Sequence, residues 1–245
     1  MARFVLVHGA WHGAWCWAGQ IDTLRRRGHD AVAVSLPSDE VGAGAAEYAR
    51  VVADAVREPG GDVVVGHSLA GLALPLVPGL VDVRALVYLA ALLPRPGMSW
   101  REQLVQDRPM TDWFLAEALP HQARDAQGRS SWPPHTAVEL FFHDCAPDVA
   151  AAAAARLRPQ ALTPVVETSP LTAFPGVASA YVGCRADRGI SGAWAAAAAR
   201  ERLGVDVTWI PGSHSPFLAA PDGLAAVLER LALSAPEPTR ERRNR

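Results

Sequence analysis

Short apolar runs alternate along this chain with segments whose apolar residues recur at helical spacing. The apolar runs predict six strands, at residues 4–7, 30–35, 63–65, 84–89, 179–183 and 206–210. The segments between them predict helices at residues 17–27, 45–57, 69–78, 193–202 and 221–233. Strands that alternate with helices are typical of a mostly parallel sheet covered by helices on both faces. The pattern therefore predicts an α/β protein.

The alternation breaks between residues 94 and 177. This stretch is punctuated by tryptophan and proline and has weak strand propensity, so we expect a small helical cap inserted into one domain spanning residues 1–235. A chain of 245 residues is long enough for one such domain with a sizeable core. Residues 236–245 contain four arginines and no apolar anchor, which predicts a disordered, arginine-rich tail.

The composition of the chain argues against nucleic-acid binding, a membrane-spanning helix and lysine-dependent catalysis. A formal net charge of -2 gives no basic field for nucleic acid, and no apolar segment approaches the ~18 residues that a membrane-spanning helix needs. The first residues lead directly into a predicted strand and do not resemble a signal peptide, so we expect a cytoplasmic protein without a membrane or nucleic-acid partner. All 23 basic residues are arginine, and the lack of lysine excludes Schiff-base and pyridoxal-phosphate mechanisms. Three widely spaced cysteines are expected to be reduced thiols.

The turn after the third predicted strand carries the candidate nucleophile. In VVVGHSLAG, residues 63–71, Gly66, Ser68 and Ala70 follow the pattern G-x-S-x-G with alanine in the last place. A serine on such a tight strand-to-helix turn must expose its hydroxyl group. Ser68 is therefore the predicted nucleophile of an elbow, and an ordinary strand-to-helix turn is the alternative.

A serine nucleophile needs a base and an orienting carboxylate, in the chain order serine, acid, histidine. His214 follows the last predicted strand and stands where the base belongs. Asp187 follows the preceding strand and is the predicted acid. Asp206 and Asp144 are weaker candidates, because the first begins a strand at the opposite edge of the sheet and the second lies in the expected cap.

The loop after the first strand is predicted to serve the oxyanion. In a fold of this kind the two donors are the backbone N–H groups of Ala10, in that loop, and Leu69, directly after the nucleophile. His8 and His12 flank Ala10, and with His67 they suggest a metal site. No carboxylate or thiolate shares their spacing, so we predict no metal.

Five segments carry a family resemblance. They are FVLVHGAWHGAWCW at residues 4–17, VVVGHSLAG at 63–71, YLAALLPRPG at 88–97, YVGCRADRGI at 181–190 and PGSHSPFLAAPDGL at 211–224. Together they resemble the α/β-hydrolase group that contains plant methylesterases, hydroxynitrile lyases and bacterial esterases. The resemblance implies an eight-stranded, mostly parallel core sheet flanked by helices with a small helical cap, and no metal or organic cofactor. It also implies a triad of Ser68, Asp187 and His214, with an oxyanion hole at Ala10 and Leu69.

The residues separate two chemistries within this group. Its lyases use a threonine after the first motif histidine and a lysine near the catalytic histidine, whereas this chain has Gly9 and no lysine. A serine at the elbow also removes the dehalogenase and epoxide-hydrolase interpretations, which need an aspartate there. Hydrolysis of a small-molecule carboxylic ester is favoured. Two alternatives stay open: a lyase, cyclase or polyketide-tailoring enzyme that uses Ser68 and His214 as acid and base, and a receptor-like protein that binds a ligand.

Aromatic residues near the predicted site suggest an apolar pocket beneath the cap, suited to an ester of a small aryl or bulky apolar acid. Aromatic side chains at these spacings are equally typical of a cap core. The predicted substrate-binding residues are Gly9, Trp11, His67, Trp113, Phe114 and Phe217. No feature of the sequence predicts the oligomeric state.

Overall fold

A parallel sheet of six strands forms the centre of the computed structural model, which describes residues 1–234. The strands are β1 (Arg3–Val7), β2 (Asp30–Val34), β3 (Asp62–His67), β4 (Ala85–Leu89), β5 (Ser179–Cys184) and β6 (Val207–Ile210). They lie in the order β2-β1-β3-β4-β5-β6, and every neighbouring pair is parallel. This confirms the α/β class. It also corrects the number of strands in the core sheet. The resemblance implies eight, whereas residues 1–234 supply six buried apolar runs and the sheet has six strands.

Helices cover both faces of the sheet and also form much of the segment between β4 and β5. They are α1 (Ala18–Arg26), α2 (Ala45–Ala55), α3 (Trp100–Gln106), α4 (Pro134–Phe141), α5 (Pro147–Ala154), α6 (Thr163–Val166), α7 (Gly192–Ala198), α8 (Pro216–Ala219) and α9 (Pro221–Ser234). Alternate side chains of a strand point to opposite faces, so Val5 and Val7 pack in one apolar cluster and Phe4 and Leu6 in the other. All four side chains are fully buried. The core of the molecule is therefore two apolar layers separated by the sheet.

The segment after β3 is not the continuous helix that the sequence predicts over residues 69–78. It forms two short 3-10 helices, Ser68–Leu72 and Leu74–Gly79. Pro75 and Pro78 lack the amide hydrogen that a continuous helix requires. In addition, the Leu92 N–H donates to the Ser68 carbonyl oxygen, an acceptor that an α-helix would use for its own next turn.

Residues 94–177 lie between β4 and β5 and contain α3 to α6 and a short antiparallel hairpin, Ala123–Arg124 with Ser130–Ser131. A third apolar cluster, separate from the two beside the sheet, is built around Phe114, Trp132 and Phe141. Among residues 1–234, no helix is both long enough and apolar enough to cross a membrane. The predicted tail, residues 236–245, lies outside the described residues.

Candidate active site

The predicted nucleophile stands at the sharp turn between β3 and the first 3-10 helix. Ser68 has a φ of 52°, in the left-handed region that a residue with a side chain rarely adopts. The turn is also closely packed, because a Cβ atom added to Gly71 would collide with the carbonyl oxygen of Leu92. Ala70 is fully buried and fits its place. Position 71, one residue after the last small residue of the motif, is therefore the position at which only glycine fits.

Asp187 and His214 form a buried hydrogen-bonded pair. The distance from His214 Nδ1 to Asp187 Oδ2 is 2.7 Å, and the side chains are 4% and 5% exposed, respectively. The other carboxylate oxygen, Asp187 Oδ1, accepts the N–H groups of Gly189 at 2.7 Å and Ile190 at 3.0 Å. An ionised carboxylate only accepts, so it holds the imidazole in the tautomer that carries its proton on Nδ1. His214 Nε2 is then the nitrogen that can accept a proton.

One cavity brings the predicted groups together. Ser68, His214, Ala10 and Leu69 all contribute to its wall, at the carboxyl ends of the parallel strands. Crevices at this edge of a parallel sheet, where the strand order reverses, are common ligand sites. Within residues 1–234 no hydrogen bond joins the Ser68 hydroxyl to His214. Such contacts are often long before substrate binds.

The cavity has a volume of about 980 Å³ and lies between the sheet edge and residues 94–177. Its wall is mainly apolar, with contributions from Trp11, Leu92, Trp100, Leu104, Met110, Phe114, Leu140, Phe141, Leu162, Val165 and Ile190. Val105, Leu115 and Leu119 also belong to the wall and are 77%, 49% and 43% exposed. A cavity of this size holds a drug-sized organic molecule.

Two of the six predicted substrate contacts, Trp11 and Phe114, belong to this wall. The other four do not. His67 and Phe217 are fully buried, with ring centroids 4.9 Å apart, and the Trp113 ring packs against the Arg188 guanidinium at 5.0 Å.

Gly9 is the fourth residue outside the wall. Its lack of a side chain lets the loop after β1 approach Ser68 and His67 closely. A Cβ atom added to Gly9 would lie 2.7 Å from the Cβ of Ser68 and 2.8 Å from Nδ1 of His67. The structure therefore places Gly9, His67, Trp113 and Phe217 outside this wall. Aromatic character in the sequence does not distinguish a cavity wall from a packed core.

His67 supports the loop that carries His214. Its Nε2 lies 2.9 Å from the carbonyl oxygen of His214, and since a carbonyl only accepts, Nε2 carries the proton and donates it. Burial lowers the pKa of His67 well below its ordinary value, so the ring is neutral. The residue beside the nucleophile thus also holds the backbone of the predicted base.

Asp144 has a role that the sequence does not indicate. Its Oδ2 accepts the N–H of Ser213 at 2.7 Å, and Ser213 Oγ donates to the Phe141 carbonyl oxygen at 3.0 Å. These bonds tie the loop of His214 to the end of α4. Asp206, the other alternative acid, pairs with Arg200 at 2.6 Å on the exposed surface. Neither Asp144 nor Asp206 forms a hydrogen bond with the His214 ring. The bond between Asp144 and Ser213 could not be found from the sequence, because no short motif contains both residues.

A comparison with protein families assigns the class. The model of the alpha/beta hydrolase family matches residues 4–227. The chain belongs to this family, which confirms the resemblance and the fold.

Known relatives and structures extend this result. Probable esterase PIR7A of Oryza sativa subsp. indica is 44% identical over 108 residues, which are 39% of this chain and 41% of that protein. Salicylic acid-binding protein 2 of Nicotiana tabacum is 27% identical over 208 residues, 77% of this chain and 80% of that protein. The chain thus spans about two fifths of the first curated relatives that it matches. Among solved structures, a pyrethroid hydrolase from Sphingobium faniae JZ-2 has a TM-score of 0.75 at 22% identity, covering 95% of this chain and 98% of that one.

Proposed function

We propose that this protein hydrolyses a carboxylic ester through a Ser68–His214–Asp187 triad and an acyl-enzyme. The observation that carries the proposal is the buried 2.7 Å bond from Asp187 to His214, a residue that belongs to the same cavity wall as Ser68, Ala10 and Leu69. Relatives described as esterases agree with this chemistry.

The reaction follows from the arrangement of donors and acceptors. His214 Nε2 removes the Ser68 proton as Oγ attacks the ester carbonyl carbon, and the N–H groups of Ala10 and Leu69 bind the oxyanion. His214 then gives its proton to the leaving alcohol, and an acyl group remains on Ser68. The same imidazole takes a proton from water as the water attacks the acyl carbon, and then gives that proton to Ser68 Oγ as the bond from Oγ to the acyl carbon breaks and the acid is released. Asp187 stabilises the imidazolium formed in each step.

The substrate class follows from the cavity. Its apolar and aromatic wall favours an ester of an aryl or bulky apolar acid, whose burial there removes apolar surface from water. Proteins of similar sequence or fold include one described as salicylic acid-binding and one described as a pyrethroid hydrolase. Both descriptions name compounds with aromatic or bulky apolar groups, in agreement with this proposal.

The geometry at Gly9 speaks against cyanohydrin cleavage. A threonine there would place its Cβ 2.7 Å from that of Ser68, so the hydroxyl that such a lyase uses has no room without a shift of the elbow. The chain also has no lysine to receive a leaving anion. Other reactions that use Ser68 and His214 only as acid and base form no acyl-enzyme, and ligand binding alone needs no turnover.

Hydrolysis of p-nitrophenyl and aryl methyl esters by the wild type and by Ser68→Ala tests the proposal. We expect turnover by the wild type and none above background by the variant, with equal thermal midpoints because an exposed hydroxyl contributes little packing. Ester turnover that survives in Ser68→Ala would contradict it. A wild type that binds aryl acids and hydrolyses none of their esters would favour the receptor-like or non-hydrolytic alternatives.

A further inference from the structure

Three consecutive backbone carbonyls of the loop after β1 are each bound by a donor, and none of the three donor residues belongs to the cavity wall. The Gly9 oxygen lies 2.9 Å from Nδ1 of His8, and the Ala10 oxygen lies 2.8 Å from Nδ1 of His12. The Trp11 oxygen accepts the N–H of Arg158 at 2.7 Å. Backbone of a loop has several accessible orientations, and these bonds select one of them.

The two histidines have defined tautomers. A carbonyl oxygen only accepts, so Nδ1 carries the proton in both rings. His8 Nε2 in turn accepts the N–H of Leu36 at 3.0 Å, which requires an unprotonated nitrogen. Burial lowers the pKa of His8 to about 4 and that of His12 to about 3, so both rings are neutral near pH 7.

The orientation of the Gly9 carbonyl determines the direction in which the Ala10 N–H, the candidate oxyanion donor, points. The Gly9 carbonyl and the Ala10 N–H belong to the same planar trans peptide unit and point in opposite directions. When His8 binds that carbonyl, the Ala10 N–H must point the other way, and Ala10 belongs to the cavity wall. A flipped peptide would present the carbonyl oxygen to the site, where it would repel an oxyanion.

We propose that His8 and His12 are positioning residues for the oxyanion hole: by binding the Gly9 carbonyl His8 keeps the Ala10 N–H directed into the cavity, and by binding the Ala10 carbonyl His12 fixes the next peptide unit of the same loop. The inference rests on the proposed ester hydrolysis and adds two residues that never touch the substrate. It differs from a structural role in the core, which would affect stability and leave the turnover of the folded protein unchanged.

Pairs of variants with the same shape separate the two roles. The amide nitrogen of asparagine takes the place of histidine Nδ1, and leucine has the shape of asparagine without its donor. His8→Asn and His8→Leu both lose the acceptor for Leu36, so they differ only in the bond to Gly9. Because His12 Nε2 has no partner among the described residues, His12→Asn and His12→Leu form a second pair, which keeps the test valid if His8→Leu does not fold.

The test measures kcat and KM for an aryl ester, together with the rate at which a fluorophosphonate labels Ser68. Loss of one oxyanion donor lowers kcat by about 10²- to 10³-fold, so a partly misdirected donor is expected to lower it by at least about tenfold. We expect this loss in His8→Leu, with KM within about twofold, and recovery to within about threefold of wild type in His8→Asn. Labelling should slow in parallel, because the phosphonyl oxygen uses the same donors. His29→Leu, at a buried histidine bonded to Ala2, is the matched control and should leave kcat unchanged.

Equal kcat values for folded Asn and Leu variants would overturn this inference and leave ester hydrolysis standing. A wild type that neither turns over esters nor reacts with the fluorophosphonate would overturn both. A wild type that is labelled but not turned over would contradict the proposed function alone, and the labelling rates of the variant pairs would then decide the role of the histidines.

Discussion

The two sides of the cavity are built in different ways. On the sheet side, hydrogen bonds between buried polar groups fix the positions of the proposed catalytic residues, as in the pair Asp187 and His214 and in the bond from His67 to the His214 carbonyl. On the side of residues 94–177, aromatic and aliphatic side chains pack on one another, with the Phe114 and Trp132 rings 5.9 Å apart and those of Trp132 and Phe141 6.3 Å apart.

This difference assigns separate tasks to the two sides. Hydrogen bonds are directional and lose much of their strength when an atom moves, so they suit groups that must transfer a proton. Apolar contact depends on area more than on direction, so it suits a wall that decides which molecule fits. Substitutions on the sheet side should therefore change kcat, and those on the other side should change KM.

The largest effect is expected from Ser68→Ala. Removal of the nucleophile should lower kcat for an aryl ester by about 10⁴- to 10⁶-fold, because only the oxyanion donors and substrate binding remain. Steady-state kinetics and binding of the product acid check this, and the affinity for the acid should stay within about threefold. A large change in that affinity would show that the sheet side also selects the substrate.

Asp187→Asn should have the next largest effect. An amide can stabilise the tautomer of His214 that carries the proton on Nε2, which leaves no base beside Ser68, so kcat should fall by about 10³- to 10⁴-fold with little change in KM. Asp206→Asn, at an exposed carboxylate that pairs with Arg200, is the matched control. Full activity in Asp187→Asn would assign the orienting carboxylate elsewhere.

Stability at acid pH distinguishes the two sides without a substrate. The pKa of His8 is lowered from 6.5 to about 4 in the folded protein, so the unfolded chain binds more protons between these values. Stability is therefore greatest above pH 6.5 and declines as the pH falls towards 4, by about 2 kcal/mol from His8 alone at pH 5. Urea unfolding at pH 7 and pH 5 measures the decline.

His8→Asn removes this titration and should reduce the acid-induced loss of stability by about 2 kcal/mol. Val149→Ala, at an exposed residue of α5 that carries no titratable group, should leave the loss unaltered. An equal decline in the wild type and in His8→Asn would mean that His8 is not held in its neutral form by the fold.

The smallest effect is expected on the apolar wall. Phe114→Ala removes a ring that belongs to the cavity and packs against Trp132, so KM for a bulky aryl ester should rise by about tenfold with kcat within about twofold. The same variant should change KM for a short acetate ester much less. Val149→Ala, at an exposed residue of α5 outside the wall, is the control. A fall in kcat as large as the rise in KM would contradict the assignment of substrate selection alone to the side of residues 94–177.

Sequence reasoning succeeded where local patterns dictate structure. Six apolar runs predicted the six strands of the sheet, and the G-x-S-x-G pattern predicted the turn at Ser68. Chain order selected Asp187 and His214, which bond each other in the structure.

It failed where the outcome depends on packing between distant segments. An aromatic residue in the sequence carries no sign of whether its ring lines a cavity, and the structure places Phe217 and Trp113 outside the wall. The bond from Asp144 to Ser213 joins residues 69 positions apart, and no local pattern marks it. His8 and His12 stood out only as possible metal ligands, because their hydrogen bonds to backbone carbonyls leave no trace in residue spacing.

Intact-mass analysis after treatment with a fluorophosphonate is the most direct test of an activated serine in this cavity. We predict one adduct per chain in the wild type, located on Ser68 by peptide mapping, and none in Ser68→Ala. Ser38→Ala, at a buried serine that does not belong to the cavity wall, should label like the wild type. A folded wild type that takes up no label, or that takes it up on another residue, would contradict the proposed nucleophile.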